Sequence, residues 1–169
     1  MNKNLFYALL FVCYGHGLLA QQSNLAKATI GFEFVDKEVD GTISGFESNS
    51  RIDWNQLENS YFEGSVAVET LDTNSGLRNW SLKNRKYFNE SDFPRIYFKS
   101  TSVVAQGNQL MVKGTLTLKG VEKPLTITFD KTDSGLMGKA ELYTYDFGIK
   151  IKKERADNLV KITFRFEQP

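Results

Sequence analysis

The side chains best suited to nucleophilic or metal chemistry are scarce in this chain. Cys13 and His16 are its only cysteine and histidine, and both lie in the first twenty residues. Those residues read as a secretory signal peptide, 1–20. Lys3 supplies a positive start, Leu5 to Val12 an apolar run, and Ala20 a small residue ahead of Gln21 and Gln22. The apolar run is too short to span a bilayer, and no later run is long enough. The expectation is a periplasmic or secreted protein that does not span a membrane. Cleavage near Ala20 leaves one domain, 21–169, with neither cysteine nor histidine. Such a domain has no Ser–His–Asp or Cys–His pair, no histidine-rich zinc site and no disulfide.

Carboxylates remain for catalysis, and a glycosidase works with a pair of them. Glu33, Glu63, Glu69 and Glu141 fall on the outward phase of alternating segments, where solvated surface is the ordinary reading. A carboxylate-dependent hydrolase is the weakest functional reading; no catalytic residue, metal or cofactor is expected. Arg78 is better placed for recognition. Its guanidinium stays charged and donates bidentately, which suits a phosphate or carbonyl head group. The alternative is an arginine that ties its helix to a nearby carboxylate or carbonyl. Lys150, Lys152, Lys153 and Arg155 form a basic run broken by Ile151 and Glu154. Near anionic lipid each charge contributes about 1 kcal/mol, but so short a run reads better as a solvated loop. The formal net charge is +1, and loss of Lys3 with the leader brings it to zero. That balance excludes a general nucleic-acid binder.

The elements that position these groups show in the apolar phase. Hydrophobic residues make up 41% of the chain and aromatics 13%, enough for a real core. Ile30, Phe32 and Phe34 share one face of an alternating run; Phe62, Gly64, Val66 and Val68 share another. Ile96 and Phe98 continue the pattern, followed by Leu110 to Leu118, Leu125 to Phe129, Leu136 to Leu142 and Val160 to Phe166. Between Thr42 and Asp53 the phase slips at Gly45, where a bulge is expected. Turns fall at Asp40-Gly41, Gln106-Gly107-Asn108, Lys119-Gly120 and Asp133-Ser134-Gly135. The class is all-β: about eight strands in an antiparallel meander, closed into a barrel or folded into a sandwich. A barrel of that size holds side chains or one small ligand. Gly64, Gly114, Gly138 and Ala140 point inward; they either leave room for a ligand or let neighbouring phenylalanine rings pack.

The stretch from Thr70 to Ser100 breaks the rhythm. It is a long connection after the third strand, loaded with Leu77, Trp80, Leu82, Tyr87, Phe88 and Phe93 before Pro94. A short helix is expected there, capped by Thr73 or Asn74. Trp80, Phe88 and Phe93 either line the opening of a barrel or form a satellite core under the loop. Phe32, Phe34, Val66, Phe98, Leu116 and Phe164 face the interior on the pattern, touching a ligand or only each other.

The words of that stretch carry a resemblance. Leu77-Arg78-Asn79-Trp80-Ser81-Leu82, then Tyr87-Phe88, then Phe93-Pro94-Arg95-Ile96-Tyr97-Phe98-Lys99-Ser100 resembles the signature run of the YceI-like family of secreted polyisoprenoid-binding proteins. Gly114-Thr115-Leu116-Thr117-Leu118-Lys119-Gly120-Val121 with Lys123-Pro124 is similar to its second hairpin, and Tyr145-Asp146-Phe147-Gly148 to its late segment. The resemblance covers about Ala28 to Phe166. It implies a lipocalin-like barrel holding a long apolar chain: a polyisoprenoid, an isoprenoid quinone or a fatty-acid derivative. It also implies a homodimer. On that reading the ligand-binding residues are Phe32, Phe34, Val66, Arg78, Trp80, Phe88, Phe93, Phe98, Leu116 and Phe164. Asn79 and Ser81 stand where the family carries Asp and His. The favoured function is a non-enzymatic lipid carrier; the alternative is an interaction module or stress-response scaffold with a side-chain-filled barrel. Burying ten methylenes gives about 8 kcal/mol of gross transfer free energy, so a barrel-held chain needs no charged anchor.

Overall fold

The computed structural model describes residues 22–23 and 28–168. The signal peptide expected over 1–20 lies outside the described residues. Eight strands of five or more residues carry the fold: β2 (Ala28–Phe34), β3 (Val39–Ile43), β6 (Glu63–Ala67), β7 (Arg95–Gln106), β8 (Gln109–Leu118), β9 (Val121–Thr132), β10 (Gly135–Tyr143) and β11 (Leu159–Glu167). Three two-residue strands accompany them: β1 (Gln22–Ser23), β4 (Glu47–Ser48) and β5 (Ile52–Asp53). One helix, α1 (Gly76–Lys83), lies in the connection between β6 and β7.

Nine strands form a single antiparallel sheet in the order β3-β2-β11-β10-β9-β8-β7-β6-β4, and β1 pairs with β5 beside it. The sheet curls into a half-barrel, so the sandwich alternative is not adopted. Its edge strands β3 and β4 are consecutive in the chain and meet at a corner. Gly45 takes φ +64° there, a left-handed backbone that glycine adopts without penalty. A Cβ would also sit 2.7 Å from the Ala67 Cβ. The expected bulge is thus a full break between two strands. The Ala67 N–H donates to the Ser44 carbonyl at 3.0 Å, and the Ser44 N–H donates to Thr70 Oγ1 at 2.8 Å. Thr42 and Asp72 exchange backbone hydrogen bonds. Arg95 clamps the corner, donating to the Gly45 carbonyl and to Ser65 Oγ and pairing with Glu47.

The ladder keeps the expected faces. In β8, Leu110, Val112, Gly114, Leu116 and Leu118 are buried while Gln109, Met111 and Lys113 are exposed. Its turn into β9 has positive φ at both Lys119 and Gly120, the backbone of a two-residue hairpin that follows the sheet's twist. A register shift between Ser100 and Ser102 moves the inward phase of β7 from Ile96, Phe98 and Ser100 to Val103. Ser100, turned inward, accepts from the Phe62 N–H through its hydroxyl at 3.0 Å.

The small inward residues are settled by what lies against them. A Cβ on Gly114 would stand 2.4 Å from the Lys99 carbonyl and 2.5 Å from the Phe98 ring; one on Gly138 would stand 2.4 Å from the Phe129 ring. Gly64 lies under Phe46 in the same way. Gly114 and Gly138 admit phenylalanine rings and do not hollow out the interior, while Gly64 lies against a ring and also borders the inner space. Phe46, Phe62, Phe129, Phe164 and Phe166 pack together, with centroids 5.4–6.4 Å apart.

Acid lability follows from two of the surface carboxyls. Asp146 receives both arms of the Arg155 guanidinium at 2.7 and 2.6 Å, which holds its carboxyl below the usual carboxylate range. Asp72 is lowered by the Asn79 side-chain amide and the Asn74 N–H. A depressed carboxyl stabilises the fold above its unfolded pKa, and that contribution is lost as pH falls through the lower folded value. Lys152 is raised by its pairing with Asp36; its contribution is full below the ordinary lysine pKa and lost on passing the higher folded one. With no histidine among the described residues, urea midpoints are expected to stay flat from about pH 5 to 8 and to fall below about pH 4.

Candidate lipid-binding cavity

The inward face of the curled sheet encloses a cavity of about 520 Å³, within the usual range for small-molecule sites. The phenylalanine cluster forms one end. Strand register places Phe34, Val160 and Leu142 together toward the other, where Leu118, Ile151, Thr144 and the α1 connection also face the space. The inward residues of β11 show what the void does. Val160 and Phe166 are buried, whereas Ile162 and Phe164 between them are only half-buried. Both border the cavity, so their remaining exposure is to its interior.

The wall is mostly carbon, and its polar exceptions matter. Lys37, in the turn after β2, borders the cavity, as do Arg78 and Ser81 of α1. Arg78 donates to the Thr73 carbonyl at 3.3 Å and remains exposed, so the structural tie and the place at the cavity occur in one side chain. Thr144 Oγ1 is buried with no hydrogen-bond partner, the one such side-chain atom recorded among the described residues.

Helix α1 is held by its polar residues, not by a cap. Thr73 and Asn74 do not cap it; Ser75 precedes it and makes no side-chain cap bond. Instead Asn79 reaches back. Its Oδ1 accepts from the Thr73 N–H at 2.9 Å and the Thr73 hydroxyl at 2.7 Å, and its Nδ2 donates to Asp72 at 2.8 Å. An aspartate here would keep the two accepted bonds, lose the donated one and face the Asp72 carboxylate. Lys83 Nζ donates to the Glu69 carbonyl. These ties turn Arg78, Ser81 and Leu82, one face of the helix at i, i+3 and i+4, toward the cavity.

Of the ten residues expected at the ligand, Phe32, Phe34, Val66, Arg78, Phe88, Phe98, Leu116 and Phe164 border the cavity. Trp80 and Phe93 do not. Trp80 is 69% exposed and Leu77 78% exposed, because they lie on the side of α1 turned away from Leu82. They neither line the opening nor form a satellite core. Phe93 packs on the β8–β9 turn, where a Cβ on Gly120 would lie 2.6 Å from its ring. Leu82 and Ile151 border the cavity unforeseen. The i+4 spacing from Arg78 pointed to Leu82; Ile151 sits in an irregular loop with no periodic signal.

The acids and the basic run have ordinary surroundings. Glu33 and Glu141 flank Lys161 on neighbouring strands, Glu69 is exposed, and Glu63 accepts from the Tyr61 hydroxyl at 2.7 Å. Lys150 lies over the Tyr145 ring, and Arg155 lies over the Tyr143 ring while pairing with Asp146. With Lys152 bound to Asp36, three of the four basic residues are matched within the fold.

A YceI-like domain pattern matches residues 21–168. The chain belongs to the YceI-like family. Among its relatives, a UPF0312 protein of Photorhabdus laumondii is 28% identical over 136 residues, 72% of this chain and 71% of that protein. Protein YceI of Salmonella arizonae is 32% identical over 105 residues, 62% of this chain and 49% of its own length. Among solved structures, Burkholderia cenocepacia BcnA superposes with TM-score 0.73 at 19% identity, covering 83% of this chain and 95% of that one. A polyisoprenoid-binding domain from Saccharophagus degradans, implicated in plant cell wall breakdown, gives 0.56 at 12% identity, covering 88% and 97%. These likenesses place the YceI-like chain among curled antiparallel barrels.

Proposed function

We propose that this YceI-like protein is a non-enzymatic carrier of one long apolar lipid: a polyisoprenoid, an isoprenoid quinone or a fatty-acid derivative. The observation that carries the reading is the cavity of about 520 Å³ walled almost wholly by carbon. A scaffold filled by its own side chains has no use for such a space, since an empty apolar void forfeits dispersion contacts. The tail lies along the sheet interior toward the phenylalanine cluster. The head group sits where Lys37, Arg78 and Ser81 border the cavity, within reach of charge-assisted hydrogen bonds. The orphaned Thr144 hydroxyl marks the same wall. The polyisoprenoid-binding description of the Saccharophagus domain supports the ligand class.

The carrier works outside the cytoplasm, as the leader of residues 1–20 implies, and it forms a homodimer. The outer face of β7 and β8 suits the dimer: Val104 and Met111 are exposed and face each other across the ladder. Protein purified from its native host should release a stoichiometric long-chain lipid on solvent extraction and mass spectrometry. Preparations that come out empty, with no lipid taken up on reconstitution, would overturn the proposal.

A further inference from the structure

Leu77 and Trp80 are the two most exposed of the large hydrophobic residues recorded among the described residues, at 78% and 69%, and they are neighbours on one helix. Spaced three apart, they form a single apolar ridge on the outer face of α1. The ridge cannot turn inward, because Arg78, Asn79 and Lys83 of the same helix are tied to the 69–73 segment. The helix and the turn that follows it carry charge of one sign, between Glu69 and Asp72 on one side and Glu90 on the other. From Gly76 to Asn89 there are four cations, Arg78, Lys83, Arg85 and Lys86, and no carboxylate. Arg85 and Lys86 are exposed, and among the described residues neither takes part in a recorded ion pair. Lys86 lies over the Tyr87 ring, as Lys150 does over Tyr145; the difference from the run at 150–155 is in carboxylates, since Lys152 and Arg155 there pair with Asp36 and Asp146. Arg78 and Leu82, on the side of the helix opposite Trp80, border the cavity together with Ser81.

The geometry points to a docking site for an anionic lipid bilayer on the outer face of α1. Leu77 and Trp80 enter the headgroup region, where an indole with one polar edge is at home. Arg85 and Lys86 meet the lipid phosphates, and the cavity lies directly behind the contact. Charge decides the occupant. A second copy would bring the same cations face to face, whereas an anionic surface complements them. Docking stands on this surface alone; passage of a lipid between bilayer and cavity rests on the carrier reading above.

The test is flotation of the purified protein with phosphatidylcholine vesicles, with and without phosphatidylglycerol, at low and high salt. Binding is read whether or not the cavity is filled, so its failure is separate from a failure to find lipid inside. The protein is expected to float with the anionic vesicles only and to be released by salt. Leu77→Ser with Trp80→Ser should lower the partition coefficient by about tenfold or more, as should Arg85→Glu with Lys86→Glu. All four positions are at the surface, and circular dichroism of both variants should match the parent. Trp80 emission should shift to the blue on binding, a change missing from Trp80→Phe, which keeps Trp54. Absence of flotation on anionic vesicles overturns the proposal, as does flotation that both double variants retain. A dimer dispersed by Leu77→Ser with Trp80→Ser, with no vesicle binding, assigns the face to a second copy and overturns it too.

Discussion

Replacing Ile162 by tryptophan is expected to reduce lipid binding by at least about tenfold while leaving the fold close to its original stability. Ile162 sits mid-strand in β11, opposite Ala140 on one side and Phe32 on the other, and it borders the cavity. A larger ring there extends into space that no side chain fills. Displacing even two methylenes of a bound chain costs about 1.6 kcal/mol, already more than tenfold in affinity. In a closed core the same enlargement forces strain of about 1–3 kcal/mol. Titration with a fluorescent fatty acid and a urea melt, run together, separate these cases. Unchanged binding would place the lipid elsewhere; a strongly lowered melt with no ligand effect would mean the interior is a packed core.

Asn158→Ala should cause the largest loss of stability. Asn158 is fully buried and makes four hydrogen bonds to one loop. Its Oδ1 accepts from the Ile151 and Lys152 N–H groups, both at 2.9 Å; its Nδ2 donates to the Lys152 carbonyl at 3.1 Å and the Glu154 carbonyl at 2.6 Å. Alanine strands two donors and two acceptors together. Each buried orphan costs about 1–3 kcal/mol, and water entering the opened loop recovers part of that. A net loss of about 3 kcal/mol follows, or about 10 °C in Tm for a domain of this size. Asn158→Asp is the control: it keeps the two accepted bonds but sets a carboxylate against two carbonyls, so it should fare no better. Lipid binding should weaken as well, because Ile151, held by this asparagine, is part of the cavity wall. Thermal scans that fail to move would show that the loop finds its partners without it.

The strands were legible because a curled sheet with one wet face writes its apolar phase plainly. Leu110 to Leu118 and Leu125 to Phe129 needed nothing more than alternation. The slip at Gly45 located the corner, but not that one continuous segment would serve both edges of the sheet. Trp80 misled because a two-turn helix carries apolar residues on more than one face; tethers from Asn79 and Lys83 chose which face points inward, and those are tertiary contacts. The glycines were ambiguous for a related reason. Gly114 and Gly138 look like vacancies until the Phe98 and Phe129 rings are placed above them. The cavity arises from the curvature of the sheet, which no local window of sequence reports. The loop at 148–158 has no period at all, and it is tied by Asn158 and by the Lys152–Asp36 and Arg155–Asp146 pairs, none of which alternation reports.

The pairing of β2 with β11 sets Ala28 beside Phe166, so almost the whole described chain lies between two adjacent strands. Closing so long a loop comes late and slowly, since chain entropy is lost before the contact rewards it. Until the last strand arrives, β2 and β10 each lack a mate on one flank, and the greasy lining stays open to water or to other chains. A nascent molecule therefore carries its lipid-attracting surface exposed for most of its folding time. Chaperone protection, or early encounter with a lipid, would matter most in that interval.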